Sequence, residues 1–578
     1  MKRIFSGLLV LCMLAALLPV MTVFASEVVD SGSCGENLTW LLDSDGTLTV
    51  SGTGDMTSAP WSSHQGDIKK VVFNEGVTSI CDYAFYWCWN LSNISLSNSI
   101  TTIGLCAFNG CSLLEKINIP QGVTDIGNYA FLDCSALSEI TVDTKNTNYS
   151  SENGVLYDKS KSLLIHYPNK KVDSIFVIPS TVTNIKLGAL SNCLNVEKFE
   201  ISNTNQFYQT ESGVLFDKTM TSLLAYPCEK KDVEYFVPDS VKSIEYKAFS
   251  GNKHFTEVYL PNTLNTINSY AFSNCSELQK IVIPNSVKDI ANSAFSNCGK
   301  LKNITLSQNL NKISDYLFNY CDNLESVIIP NNVTEIGQSA FIGCKSLQQI
   351  IIPIGVTKIG DYAFRNCESL EQIDIPYTVT IIGKQTFENC AKLSIVKISN
   401  NTMAIGSSAF RGCSNITDFS IPYGIENLDS NILYECVKLK TVKIPKTVTS
   451  IEDWAFTHDN ALTDVYYEGT EEEWHKITIG NYNDPLTKAT IHYNYVCTNT
   501  SVTKEGDETI ISVIPANAPK GVSILVGLYK NGQFADVAVA EYDGTEITVK
   551  TKTDFDEIKV MMWNDLKTLS PICSPEEL

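Results

Sequence analysis

The sequence predicts a solenoid of 23-residue coils, built from stacked parallel β-strands and short 3₁₀ or helical turns, with a small all-β module at the C-terminal end. Three observations carry this. The pattern L-x-x-I-x-I-P-x-x-V-T-x-I-G-x-x-A-F-x-x-C, plainest from Leu324 to Leu347, returns every 23 residues. A phenylalanine column marks it: Phe85, Phe108 and Phe131, then Phe249, Phe272, Phe295, Phe318, Phe341, Phe364, Phe387 and Phe410, a leucine at Leu433, and Phe456. A cysteine column runs three residues behind, including Cys344, Cys367 and Cys390. A fixed period of this length means units that bury their apolar side only against their neighbours.

Each part of a coil has a physical reading. In Val327-Ile328-Ile329, strand alternation puts Val327 and Ile329 inside and Ile328 outside. Pro330 follows, where a missing N–H ends the ladder and starts a turn, and ten of the fourteen coils have proline there. Val333 and Ile336 face inward, and Gly337 suits a position of positive φ. Ala340, Phe341 and Cys344 form an apolar stripe on a single 3₁₀ or helical turn. Two residues after the Phe stands Gly, Asn or Asp in ten of fourteen coils, the residues that tolerate a left-handed corner. Stacked at the usual strand spacing, fourteen coils give a face of roughly 65–70 Å.

The chain has 578 residues and a net charge of −21, a balance that disfavours nucleic acid and anionic membrane as partners. Residues 1–25 read as a secretory signal: Lys2 and Arg3, the apolar run Leu8–Leu18, and Val23-Phe24-Ala25 as cleavage site. No other stretch reads as a membrane span, and no C-terminal sorting tail is visible. Nineteen cysteines in a secreted chain invite disulfides, but twelve sit in the column. In-register Cβ atoms stand about 4.8 Å apart, against about 3.8 Å in a disulfide. The column therefore reads as a ladder of buried thiols acting as small apolar residues. No C-x-x-C pair occurs, so no zinc site and no cofactor is expected.

Along the chain, residues 26–70 read as an N-terminal β cap. A hairpin is expected with strands around Trp40–Leu42 and Thr47–Val50 and a turn at Asp43–Gly46. That turn lacks the further ligands of an EF-hand. Trp40 and Trp61 are placed to cover an open end of the stack. In the first coil, Tyr86, Trp87 and Trp89 fall where other coils carry small or polar residues. They read either as packing beneath the cap or as an exposed platform for a sugar or peptide.

The repeats span 71–465. Between Phe131 and Phe249 the period becomes 59, twice, with Leu190 in the middle. The two inserts, near 141–175 and 200–235, match each other and read as hairpins turning at Asp158-Lys159 and Asp217-Lys218. They are either recognition loops or simple elongations of a coil. From Phe249 onward the outward strand position reads Tyr259, Val282, Thr305, Ile328, Ile351, Asp374, Lys397, Ser420, Lys443. Tyr259, Val282, Ile328 and Ile351 make an aliphatic stripe where polar residues are expected: part of a partner-binding face, or β-branched stacking that favours the sheet itself. Residues 466–496 form a C-terminal cap, with Trp474, Ile477 and Ile479 closing the stack. Glu471-Glu472-Glu473 fit a helix N-terminus. Residues 497–578 read as a small β-sandwich-like module, with Cys497 and Cys573 at its ends read either as free thiols or as a bridge.

The motif I-P-x-x-V-T-x-I-G-x-x-A-F-x-x-C resembles the BspA-like class of leucine-rich repeats over about residues 71–465. "SGSCGENLTW", "DGTLTVSGTGDM" and "VYYEGTEEEWHKITIG" resemble segments flanking such repeats in bacterial surface proteins. "VMMWNDLKTLSPIC" is similar to a module of clostridial secreted proteins. The resemblance implies a leucine-rich repeat solenoid, secretion, and adhesion to host proteins or other cells, without enzymatic activity. It carries over no catalytic or binding residue. The residues agree: the six histidines are scattered through unrelated coil phases, and no catalytic spacing occurs. Three roles follow: protein binding at a host or bacterial surface, a structural spacer or surface-layer component, and glycan binding through the first-coil aromatics.

Overall fold

The computed structural model describes residues 26–493 and, beyond them, 498–505, 508–515, 523–530, 533–541, 547–554, 557–563 and 576–577. The expected leader, Cys497 and Cys573 lie outside the described residues. The chain divides into two compact units, Met1–Val172 with Thr181–Cys193 and Asp173–Ser180 with Leu194–Leu578.

The repeats of both units wind as a solenoid, and three ladders run along the coils of each. The first is made by the strand before the proline: Glu234–Phe236, Glu257–Tyr259, Lys280–Val282 and Asn303–Thr305 pair in parallel and in register, each residue on the one 23 further along. The second is a two-residue strand at the Val-Thr-x-Ile segment, continuous from Lys312–Ile313 to Ala404–Ile405. In these four strands the middle residue is buried and the next is exposed, as for Ile281 and Val282.

The first ladder is interrupted where the sequence is most β-prone. The segment Glu325–Pro330 keeps only one bridge, Ser326 to Asn303, and the next coil, Gln348–Pro353, carries no strand. Where the residue at the proline position has an N–H, it adds a rung to the coil before: Asp143 donates to the Ile119 carbonyl at 2.9 Å and Glu468 to the Ile444 carbonyl at 3.1 Å. Pro330, Pro353 and Pro376 supply no such donor, but neither do Pro238, Pro261 and Pro284, beside which the ladder is formed, so proline alone does not interrupt it.

The third ladder holds the Phe column. In place of a helical turn, the segment alternates in and out of the left-handed region: residues two before and two after the Phe have positive φ, as Ser339 (52°) and Gly343 (74°) around Phe341, or Gln385 (52°) and Asn389 (61°) around Phe387. This alternation turns successive N–H groups the same way along the stack. Ser339, Phe341 and Gly343 all donate to the following coil, at Asp361, Ala363 and Arg365, each at 2.8 Å. Gly337 is not at positive φ; a Cβ there would stand 2.5 Å from Asp315 Oδ1 and 2.8 Å from the Ile313 carbonyl, so glycine serves close coil-to-coil approach.

Inside, rings lie on rings. From Phe249 to Phe410 the centroids are 4.7 to 6.0 Å apart, including 5.3 Å for Phe341–Phe364 and 5.4 Å for Phe364–Phe387. Beside them every column cysteine from Cys275 to Cys436 is buried and unbridged. Each donates its S–H to a phenylalanine carbonyl of the preceding coil: Cys344 to Phe318, Cys367 to Phe341 and Cys390 to Phe364, all at 3.2 Å. The thiol is thus a donor as well as apolar filler. Burial pushes the Cys390 thiol up to about 12.

The first coil and the last are closed by side chains. Trp61 stacks on Phe85 at 5.3 Å and its Nε1 donates to the Ala84 carbonyl at 2.8 Å; Gln65 Nε2 donates to the Tyr86 carbonyl at 2.7 Å. Trp40 packs edge-on to Trp61. At the other end Phe456 N–H donates to Asn483 Oδ1 at 3.0 Å, and Trp454 N–H to the Asn481 carbonyl at 3.0 Å. The helix Glu471–Trp474 starts with a capping box of Thr470 and Glu473, and Trp474 and Ile477 are buried.

Each insert is a three-stranded antiparallel meander. Tyr149–Glu152 and Val155–Asp158 turn at Asn153-Gly154, both at positive φ, and Leu163–His166 then rejoins the second ladder beside Asn184–Ile185. The insert elongates its coil, and Asp158 marks the second of its two turns. The N-terminal hairpin gains a third strand, Val28–Gly35, which has no alternating pattern. In the last module the described strands form antiparallel sheets of three and four strands.

Candidate functional site

The outward position of the first ladder places one side chain per coil in solvent, because its two strand neighbours are drawn into the core. Ile328 is 80% and Ile351 82% exposed, while Val327, Ile329, Ile350 and Ile352 are buried. Tyr259 and Val282 are also exposed. The row continues as Asp374, Lys397, Ser420, Lys443, Tyr466 and His492, each in register where the ladder is formed. One part of the row is therefore apolar and the next carries alternating charge and hydroxyl.

The apolar part is wider than the stripe read from the sequence. Ile354, one residue past Pro353, is 69% exposed. With Ile351, Gln372, Asp374, Ile395 and Lys397 it lines a groove of about 370 Å³. Phe236, in the same phase one period before Tyr259, is 65% exposed and stacks on Tyr259 at 4.3 Å. Its signal lay in the sequence: extending the outward column back by 23 residues reaches it. Ion pairs between adjacent coils flank the row, Lys280 with Glu257 and Lys302 with Glu325, both at 3.1 Å.

In the first coil Tyr86, Trp87 and Trp89 point outward, with Tyr83 beside them, while Phe85 and Cys88 are buried. Trp87 rests one ring face on Gly110 and Trp89 rests on Gly66, so each indole is backed by a residue without a side chain and keeps about half its surface in water. Tyr83 and Trp87 hold positive φ, 58° and 57°, unusual for aromatic residues. Tyr83, Tyr86 and Trp87 meet ring to ring at 5.6 and 6.2 Å; Tyr259, Val282, Ile328 and Ile351 lie along the first ladder, with Thr305 in register after Val282. Phe341, Phe364, Phe387 and their cysteines lie inside, away from both.

Among the described residues no group of three or more His, Cys, Asp or Glu is placed to hold a metal ion, and no helix is long and apolar enough to cross a membrane. One buried carboxylic acid stands out. Asp459 occupies the cysteine column in the last coil, fully buried, and burial pushes its pKa up to about 9 against the opposing pull of the Cys436 backbone. At another exception to the column, Asn252 donates to the Pro227 and Cys228 carbonyls, each at 3.2 Å.

A family model described as "BspA type Leucine rich repeat region (6 copies)" matches residues 63–175, 166–213, 225–348 and 335–463. No curated protein matches the chain. Similar solved structures include a leucine-rich repeat protein from Eubacterium ventriosum, 26% identical, covering 64% of this chain and 95% of that one at a TM-score of 0.38. Another, from Bacteroides ovatus, is 22% identical and covers 79% and 98%, at 0.42. A leucine-rich cell surface protein from Faecalibacterium prausnitzii is 22% identical and covers 78% and 98%, at 0.34.

Proposed function

The chain belongs to the BspA-type leucine-rich repeat family, and on that premise we propose that it is a secreted or cell-surface adhesion protein. Its partners are host or neighbouring-cell surface proteins, held on one face of the coils. A solenoid of this kind is typically an interaction scaffold: it offers a long surface whose inner residues are fixed by stacking and whose outer residues are free to vary.

The observation that carries the reading is the exposure of Ile328 and Ile351 at about four-fifths, on a row where polar residues cost nothing. Contiguous exposed aliphatic surface rimmed by charged pairs is what a protein-binding patch looks like. The test is capture of immobilised surface and matrix proteins by the secreted chain. Ile328→Lys with Ile351→Lys should leave folding intact and reduce capture at least tenfold; unchanged capture rules the face out.

The first-coil cluster supports a second reading, glycan binding. Backed indoles with one face in water suit the apolar face of a sugar ring. A glycan array probed with the parent and with Trp87→Ala would separate this reading from protein capture.

A further inference from the structure

The outward row begins beyond the stripe, at Phe236. That ring and Tyr259 lie parallel, 4.3 Å apart and 7° from coplanar, and Phe236 is the more exposed of the two. The strand that carries it, Glu234–Phe236, is the terminal strand of its four-stranded sheet. One of its edges therefore has no strand beside it. Against that side stands the first turn of the second insert, at Glu211 and Ser212. Insert and strands together enclose an open cleft of about 430 Å³, lined among others by Glu211, Ser212, Phe236, Asp239, Tyr259 and Pro261.

The charges around the cleft do not cancel. Glu234 stands opposite Glu257 in register, a like-charge pair that a sheet does not favour. Lys280 binds Glu257 at 3.1 Å. Glu234, Glu211 and Asp239 form no ion pair among the described residues. An exposed aromatic face, surplus carboxylates and a strand edge are three features with one complementary ligand. The edge offers backbone N–H and C=O groups to an extended chain. The ring accepts a guanidinium over its face, and the carboxylates complete its hydrogen bonds.

We propose that this cleft binds an extended, arginine-bearing segment of a partner protein, with a guanidinium over Phe236 and held by Glu211 and Glu234. The inference rests on the protein-binding reading above and adds the chemistry of the partner at one end of the face. The second insert thereby takes part in recognition, since its turn supplies one wall of the cleft and one carboxylate.

The experiment is fluorescence anisotropy on the full secreted chain, using a labelled eight-residue peptide of alternating Arg and Thr and its Glu-for-Arg counterpart. The arginine peptide should bind and the glutamate peptide should not. Phe236→Ala, which removes an exposed ring and no charge, should weaken binding about two- to fivefold. Glu211→Gln with Glu234→Gln should weaken it on the order of tenfold and flatten its salt dependence. Glu472→Gln, on an exposed helix elsewhere, controls for attraction by the net charge of −21 and should change nothing. Equal binding by the parent, the Phe236 variant and the double glutamine variant overturns the proposal. So does a loss with Glu472→Gln as large as that with the double glutamine variant. Capture of surface proteins by the Ile328–Ile351 row is measured separately with its lysine variants, so failure of either reading leaves the other's result standing.

Discussion

The inner Phe–Cys column and the outer row of the first ladder are built on the same 23-residue period and obey opposite rules. Inside, Phe249 to Phe410 keep one residue type, because each ring is the floor of the next. Outside, the same coils show Phe, Tyr, Val, Thr, Ile, Asp and Lys, because nothing in the stack restricts that position. Stacking needs repetition, and recognition needs its absence. Where the outer row does turn uniform and apolar, at Ile328 and Ile351, the fold does not require it: the strand ladder is interrupted there.

This contrast can be broken most sharply from the inside. Phe364→Ala removes a ring packed on both faces and should cost about 3–5 kcal/mol, read as a lower midpoint in denaturant unfolding. Asp459→Cys repairs the one acidic gap in the column and should gain about 1–3 kcal/mol at pH 7. The sign follows from its pKa, raised by burial to about 9. Below about pH 4 folded and unfolded chains both hold the proton; as pH rises toward 9 only the unfolded chain releases it, and stability falls. The parent's midpoint should therefore decline from pH 4 to pH 9 more steeply than the variant's.

A smaller effect separates thiol as donor from thiol as filler. Cys367→Val keeps an apolar side chain but leaves the Phe341 carbonyl without its S–H, and should cost about 1–2 kcal/mol. Cys367→Ser restores a donor and should cost less; the reverse order would make the column mere packing. Smallest of all, Ile351→Lys should shift the midpoint by under about 0.5 kcal/mol.

Much of the interior was legible because period and residue type coincide there. The Phe and Cys columns, the covering tryptophans and the helix at Glu471 all announce themselves by what they must bury or cap. Left-handed corners were legible only by half. The position after the Phe is rich in Gly and Asn, but the one before it is held by Tyr83, Ser339 and Gln385, whose types give no sign of positive φ. Gly337 was misleading for a related reason: glycine marks close approach as readily as a left-handed turn. Val327-Ile328-Ile329 looks like the best strand in the chain, yet its coil keeps a single bridge at Ser326; proline does not account for this, since strands followed by Pro238, Pro261 and Pro284 pair in register. The strand Val28–Gly35 lacks any alternation to read. The outer row was legible as exposed, but its reach to Phe236 and Ile354 depended on the turns that surround it.

The third ladder points one way. Its rungs hand their protons forward, so each coil has a giving side and a receiving side, and the first coil and the last are finished by different chemistry: an indole and an amide N–H for the first, an amide oxygen for the last. A gene segment encoding one whole coil can therefore be duplicated or lost without disturbing either finish, since each copy receives and gives alike. The two longer inserts keep the same direction, Tyr167 donating to the Ala189 carbonyl at 2.9 Å and Tyr226 to the Ala248 carbonyl at 2.7 Å, so the chain can lengthen its display surface by whole coils or by elongating one.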